Sequence, residues 1–473
     1  MEASTRKGRG APGEAEGLLE RLPYRGARGA RLGRAPMKVA VLLVAGRPNL
    51  EAAFSSVRVL EELGAEEVTI VYTSSEGARM NAKTFKEFLE KAGFKVEMKE
   101  VPSDSDSDLE ERVKKLKEVK ADVVAVSPGG ASLAAAASKA FNTIAHVSFP
   151  FSLWRGLYFP YVPRTFQKVY FLPSSDFNTK FTNYADKIKV ELNHLGPIRK
   201  RVAELTKRIN EATDRKCPEI EVKVDAMMGG FNIMSVKFKL CGNEEEETKK
   251  VFSTSLRAMK EFIKASRSSR SWMGFDSSLY LSGLLPIKVG GEGASTEYIL
   301  DTSSILIGAL NLHNAGLLRA RVPRCALYEL LHKYEESLKR SNPNYYGLLA
   351  KYVMEEAKAL VFPSPTDLCD KAFFQIDPLL LDGKVILTED NGIKEMWKET
   401  PLSKLARVES PRRVDKWEEA KKLGYYNLPY VTFALLQFYV IMKLLAEEVE
   451  KNKISGEPVT GSLKVDNKTV DEF

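Results

Sequence analysis

The sequence predicts an α/β protein with two parallel sheets, on three observations. Short apolar runs alternate with amphipathic helical stretches from Met37 to Ser148, the pattern of a doubly wound parallel sheet. The same alternation resumes after Ser295. In both stretches the apolar runs end abruptly in small, hydroxylated or acidic residues, and open α/β sheets collect ligands and catalysts at such carboxyl ends. The clearest case is Tyr298–Ser304 (YILDTSS), where a buried strand gives way at once to a carboxylate, hydroxyls and a helix.

The totals set the class. A chain of 473 residues, 44% apolar and 28% charged, has enough apolar material for two or three globular domains. The net charge is +8, of which +4 falls in residues 1–36. That leaves a mild basic bias that suits a nucleic-acid partner without requiring one. Cys217, Cys241, Cys325 and Cys369 form no CxxC pair, so a reduced cytoplasmic protein without a zinc site is expected. Only three glutamines accompany many Lys, Arg and Glu, a hyperthermophile-like bias.

In chain order, residues 1–36 are rich in Gly, Arg, Ala and Pro without apolar periodicity and are expected to be a disordered basic tail. MKVAVLLVAG begins a strand with no lead-in, so translation is expected to start at Met37. Met37–Ala45 reads as a strand buried on both faces, Gly46–Asn49 as a tight turn and Leu50–Leu63 as a helix. Strands follow at Val68–Tyr72, Lys95–Val101, Ala121–Val126 and Ile144–Ser148, with helices at Asn81–Ala92 and Asp104–Glu118. Gly129-Gly130 before an Ala-rich helix permits either a tight turn or a close approach to an anion. The first turn lacks GxGxxG, which argues against a dinucleotide enzyme.

The runs VLLVAGRPNLEAAFSSVRVL, VTIVYTSSE and VVAVSPGGASLAAAA resemble the CRISPR-associated Rossmann fold, the CARF domain, over roughly residues 37–175. That family is a dimeric sensor of cyclic oligoadenylates. The resemblance implies a homodimer, with Gly46, Arg47, Pro48, Asn49, Thr73, Ser74, Ser127, Gly129, Gly130 and Ser132 around the ligand. Many members place a Thr and a Lys where this turn has Pro-Gly-Gly-Ala-Ser. The ring size and any ring cleavage by the sensor therefore stay open.

Residues 176–295 read as an extension of the sensor and a connector. They hold a basic amphipathic helix at Ile198–Ala212, a hairpin from Glu219–Val224 and Asn232–Leu240, and a helix at Glu245–Ala265. Beyond Ser304, helices are expected at Cys325–Tyr334 and Tyr345–Leu360, and a strand at Lys384–Leu387 that ends in Thr388-Glu389-Asp390. If this strand neighbours Tyr298–Leu300, Asp301 and Asp390 share a crevice. Carboxylates forced together repel, and a divalent cation is the usual remedy. Hard oxygen donors favour Mg²⁺ or Mn²⁺, and metal-assisted phosphodiester hydrolysis is the chemistry that wants such a cluster. Each acid alone is more often a helix cap or a solvated charge.

Together, ILDTSSIL, VPRCALYELL, TDLCDKAFF and VILTEDNGI resemble the four motifs of the PIN domain, a family of metal-dependent ribonucleases, over about residues 296–410. The resemblance places Asp301, Glu329, Asp370 and Asp390 as catalytic metal ligands, with Ser303 and Thr388 at hydroxyl positions that hold the site. Asp367, one turn before Asp370, is an alternative third acid. Leu428–Ala446 is nearly long enough to cross a bilayer but carries Pro429, Gln437 and Lys443, so a core helix and no membrane are expected.

The expected organisation is a tail (1–36), a CARF-like Rossmann sensor (37–175), an extension (176–295), a PIN-like α/β/α nuclease with C-terminal helices (296–450) and a flexible tail (451–473). The expected function is a cyclic-oligoadenylate-activated RNA-cleaving enzyme of type III CRISPR antiviral defence. Two alternatives stand beside it: a constitutive PIN ribonuclease with a Rossmann-like dimerisation domain, and a non-catalytic ligand-responsive regulator.

Overall fold

Two parallel sheets are built around central strands that are apolar and buried on both faces. A computed structural model describes residues 37–149, 152–173, 181–189, 192, 195–226, 232–268, 275–290, 296–339, 345–365, 369–454 and 459–473. The proposed tail at 1–36 lies outside them. The first sheet comprises β1 (Lys38–Leu43), β2 (Glu67–Thr73), β3 (Lys95–Val101), β4 (Val123–Ala125), β5 (Ile144–Val147) and β6 (Val169–Leu172). Its order is β3-β2-β1-β4-β5-β6, parallel except for β6, which runs antiparallel to β5. Val39 to Leu43 are all fully buried, as a central parallel strand requires. The strand order reverses at β1 and β4, so the turns after those two strands meet at the switch point where α/β ligands bind.

The helix predicted over Leu50–Leu63 is two helices, Arg47–Ser55 and Val57–Leu63. Ser56 joins them, and its hydroxyl donates back to the Ala52 carbonyl, a bond that commonly bends helices.

The expected hairpin forms from β7 (Glu219–Ala226) and β8 (Asn232–Lys239). Two further short strands, β9 (Ile287–Lys288) and, later, β15 (Arg412–Arg413), pair with each other. The second parallel sheet holds β10 (Glu297–Leu300), β11 (Arg319–Pro323), β12 (Val361–Phe362), β13 (Val385–Leu387) and β14 (Arg407–Glu409), in the order β12-β11-β10-β13-β14. Asp301 continues the β10–β13 ladder by donating its amide to the Leu387 carbonyl. The architecture is a mixed α/β fold.

The C-terminal segment corrects the sequence reading. Residues 451–473 were expected to be a flexible tail. Instead the helix runs on to Lys451, and β16 (Val459–Val465) and β17 (Lys468–Glu472) follow. β16 adds antiparallel to β7, with Val459 opposite Ala226 and Val465 opposite Ile220. Val459, Leu463 and Val465 are buried, and polar neighbours plus Gly461 obscure that alternation in the sequence. Gly461 is needed because the Phe473 ring lies where its Cβ would stand. The sheet thus joins residues assigned to the connector with residues assigned to the tail.

Leu428–Lys451 is long and apolar enough to cross a membrane by composition, but 89% of its apolar window is buried inside the fold. It is the core helix the sequence suggested. Asn427 caps its start by accepting the Tyr430 amide, and Trp154 Nε1 donates to the Pro429 carbonyl.

The cysteines also depart from expectation. Cys217 pairs with Cys241 and Cys325 with Cys369, at Cα separations of 5.5 Å and 5.2 Å. Cys217 and Cys241 flank the β7–β8 hairpin, and Cys325 and Cys369 open two helices of the second α/β series. Sequence spacing alone shows neither closeness. Thiol titration of the denatured protein should find no reactive thiol before reduction and four after it. Serine at Cys325 should lower unfolding stability by about 2–4 kcal/mol, read from denaturant midpoints. Four thiols without reduction would show that the pairs are not bonded.

Candidate metal centre

The site grows from the end of β10. Leu300 is fully buried, and the chain then leaves the sheet at Asp301, which caps the helix Thr302–Leu306. Asp301 is only 5% exposed. Its Oδ2 accepts from the Ser303 amide (3.2 Å), the Ser303 hydroxyl (2.7 Å) and the Thr388 hydroxyl (2.9 Å). Thr388 ends the neighbouring strand β13 and is fully buried. Ser303 and Thr388 therefore orient Asp301. Oδ1 accepts no hydrogen bond among the described residues, and Asp301 has no ion pair there.

Glu329 comes from the helix Arg324–Lys339 that follows β11. Its Oε1 accepts the amide of Cys369 at 2.9 Å, which opens the helix Cys369–Ala372. Ligand atoms of Asp301, Glu329 and Cys369 lie within 4.8 Å of one another. Cys369 Sγ belongs to the disulfide with Cys325, so it is not a thiolate donor in this state. The usable donors are the two carboxylates, with hydroxyls behind them. A buried carboxylate held only by neutral donors beside a second carboxylate is short of positive charge, and a divalent cation supplies it. The residues present fit a hard cation.

The other predicted acids are placed differently. Asp390 is exposed and caps the helix Asn391–Lys398, with Oδ1 accepting from the Gly392 and Ile393 amides. It stays close to the site through its own amide, which donates to the Thr388 hydroxyl, but it is not in the group around Asp301. Glu389 turns to Arg413 in a 2.9 Å ion pair. Asp370 lies in the helix Cys369–Ala372, adjacent to the disulfide; its side chain and Asp367 lie outside the described residues.

The chain matches no protein-family model, and no curated protein matches it significantly. Geometry therefore carries the functional argument.

The residues predicted around a ligand gather at the carboxyl edge of the first sheet. Gly46 has φ +103°, a conformation that suits glycine, and leads into the helix at Arg47. Arg47 pairs with Glu51, and Pro48 occupies the first helical turn. Asn49 Nδ2 donates to the Ala45 carbonyl. Thr73 Oγ1 lies 3.5 Å from Ser75 Oγ, and Ser74 donates to Asp106, whose carboxyl is lowered to about 2 by the Ser103, Ser74 and Ser105 hydroxyls. Ser127 Oγ accepts the Val147 amide. Gly129 packs on Leu42 so closely that a Cβ would stand 2.7 Å from it, which accounts for this glycine structurally. Gly130 opens the Ala-rich helix, and Ser132 bonds to Asp104 and Arg112. Several of these polar groups are thus already engaged within the fold.

Neither Cys369 beside the acids nor the convergence of Arg155, Arg199, His313 and Arg319 is visible in sequence spacing, because each set comes from separate elements. Helix Ile198–Ala212 showed its basic character, but not which arginine turns inward.

Proposed function

We propose that this chain is a metal-dependent phosphodiesterase that cleaves RNA, and that its first sheet binds a cyclic oligoadenylate as activator. The observation that carries the first half is the buried Asp301 carboxylate, unpaired with any cation among the described residues and within 4.8 Å of a Glu329 ligand atom. The resemblance of four sequence stretches to PIN motifs supports RNA as substrate, and that of three stretches to CARF supports the activator, a homodimer and a role in type III CRISPR antiviral defence.

Asp301 and Glu329 would hold Mg²⁺ or Mn²⁺, with Asp370 and Asp390 as further acids. When bound, such a cation lowers the pKa of a water and stabilises charge on phosphoryl oxygens. The chain's own part is positional. Ser303 and Thr388 fix Asp301 Oδ2, leaving Oδ1 for the cation, and the Cys325–Cys369 bridge ties the Glu329 helix to the helix of Asp370.

Labelled single-stranded RNA should be cleaved only with Mg²⁺ or Mn²⁺ and cyclic tetra- or hexa-adenylate together, and not in EDTA. Cleavage in EDTA would overturn the metal assignment. Equal cleavage with and without oligoadenylate would overturn the sensor half.

A further inference from the structure

A second site lies where the two parallel sheets approach each other, at the end of the second sheet opposite Asp301. It is a cavity of about 760 Å³, within the range of small-molecule pockets. Its charged lining among the described residues is four arginines, Arg47, Arg155, Arg199 and Arg319, against one glutamate, Glu51. Glu51 is already paired with Arg47. Arg155, Arg199 and Arg319 form no ion pair among the described residues.

These side chains come from separate elements. Arg47 begins the helix after β1, and Arg155 follows the short turn Ser152–Trp154. Arg199 lies in the first turn of the helix Pro197–Ala212, and Arg319 begins β11. Arg199 Nη2 donates to the carbonyls of Leu153 (3.0 Å) and Arg155 (2.8 Å). Its Nε is buried with no hydrogen-bond partner among the described residues. Glu356, the carboxylate that acts on Arg199, accepts the backbone amides of Ile198 and Arg199 rather than the guanidinium. The Arg155 guanidinium lies against the His313–Arg319 loop, where a Cβ on Gly316 would stand 2.5 Å from Nη1. Burial holds the His313 imidazole below its ordinary pKa, and the charges of Arg155 and Arg199 add to that.

A desolvated Arg199 donor without a partner, beside Arg155 and Arg319 that no carboxylate pairs among the described residues, is costly unless an anion arrives. Guanidinium forks match phosphate oxygens in pairs. Among the described residues no Phe, Tyr or Trp lines the cavity, so they offer no stacking platform of the kind that single-stranded nucleic acid uses. We propose that this cavity binds a small, multiply charged phosphate-bearing molecule such as a pyrophosphate or polyphosphate ester.

The site is separate from the acidic one. Glu297 pairs with Arg319 across the parallel β10–β11 ladder, and Asp301 stands four residues further along. That is about 13 Å along the strand. The cavity shares Arg47 and Pro48 with the turn assigned above to the cyclic oligonucleotide, whereas Arg155, Arg199, His313 and Arg319 are not among the residues assigned to that ligand.

The test is calorimetric titration of the full chain with pyrophosphate in EDTA, which keeps the metal centre out of the measurement. Pyrophosphate should bind with one site per chain. Arg155→Ala and Arg319→Ala, both at exposed positions, should each weaken it about tenfold, and the double variant more. Asp301→Asn should bind as the parent does. Pyrophosphate held by Arg155, Arg199 and Arg319 rather than by the shared Arg47 should bind together with cyclic tetra-adenylate without either displacing the other. No pyrophosphate binding at millimolar concentration, or unchanged affinity in a folded double variant, would overturn the proposal. So would mutual displacement, which would make the cavity part of the cyclic oligonucleotide site. Binding of single-stranded RNA, but not pyrophosphate, that is lost in the double variant would assign the cavity to nucleic acid instead. None of these results depends on RNA cleavage, so the catalytic reading fails or stands separately.

Discussion

Asp301→Asn is expected to reduce metal-dependent RNA cleavage by more than about a hundredfold while leaving the fold intact. Removing an outer partner of a metal ligand typically costs ten- to a hundredfold, and loss of a ligand's own charge should exceed that. The substitution is nearly isosteric. An amide oxygen can still accept from Ser303 and Thr388, the groups that now hold Oδ2. It also removes one of two carboxylates whose ligand atoms lie within 4.8 Å of each other. Without metal, the variant should be as stable as the parent or up to about 1 kcal/mol more so, because like-charge repulsion is relieved. Cleavage rates and urea midpoints measured on the same preparation separate the two effects. Parent-like cleavage would remove Asp301 from the catalytic centre. Lost cleavage with a large drop in stability would mean that the carboxylate is structural.

That prediction was reachable from the sequence because β10 and β13 are legible strands. Both are short runs, YIL after Glu297 in β10 and VIL in β13, that are apolar up to an abrupt polar end, and their pairing brings Asp301 to Thr388. The neighbouring strands were not legible. β11 alternates Arg with Ala and Val and ends on Pro323, while β14 has only three residues, two of them charged. Short strands of this kind take their conformation from the ladder they join rather than from their own residues. Asp390 shows a different limit. A T-x-D turn before a helix suits a cap and a metal ligand equally, and the geometry places Oδ1 on the Gly392 and Ile393 amides. The disulfides and the basic cavity were illegible for a third reason. Cys325 and Cys369 are separated by 44 positions, and the four cavity arginines come from four distant stretches, so only the folded chain brings either set together.

Glu61→Ala is expected to lower unfolding stability by about 3–5 kcal/mol, the loss typical when one partner of a buried ion pair is removed. Glu61 is fully buried on the helix Val57–Leu63. Its carboxylate accepts from Arg58, from Arg164 Nε (3.2 Å) and Nη2 (3.1 Å), and from the Tyr184 amide (2.9 Å). Arg164 also donates to the carbonyls of Thr213 and Asn210 and to Asn183 Oδ1. One carboxylate therefore ties a helix of the first sheet to segments near residues 164, 184 and 210. Alanine would leave the nearly buried Arg164 with no ion-pair partner among the described residues, and Arg58 with only Glu62, which Lys216 also pairs. Urea midpoints measure the loss, and a change below about 1 kcal/mol would show that Glu62 or water compensates. A triple variant with Met at Arg58 and Arg164 and Leu at Glu61 separates charge from packing. Replacing a whole buried ionic group with apolar residues is often neutral or stabilising. Recovery in that variant would assign the single-variant loss to stranded charge. A loss as large as that of Glu61→Ala would assign it to the hydrogen bonds that Arg164 makes to Thr213, Asn210 and Asn183.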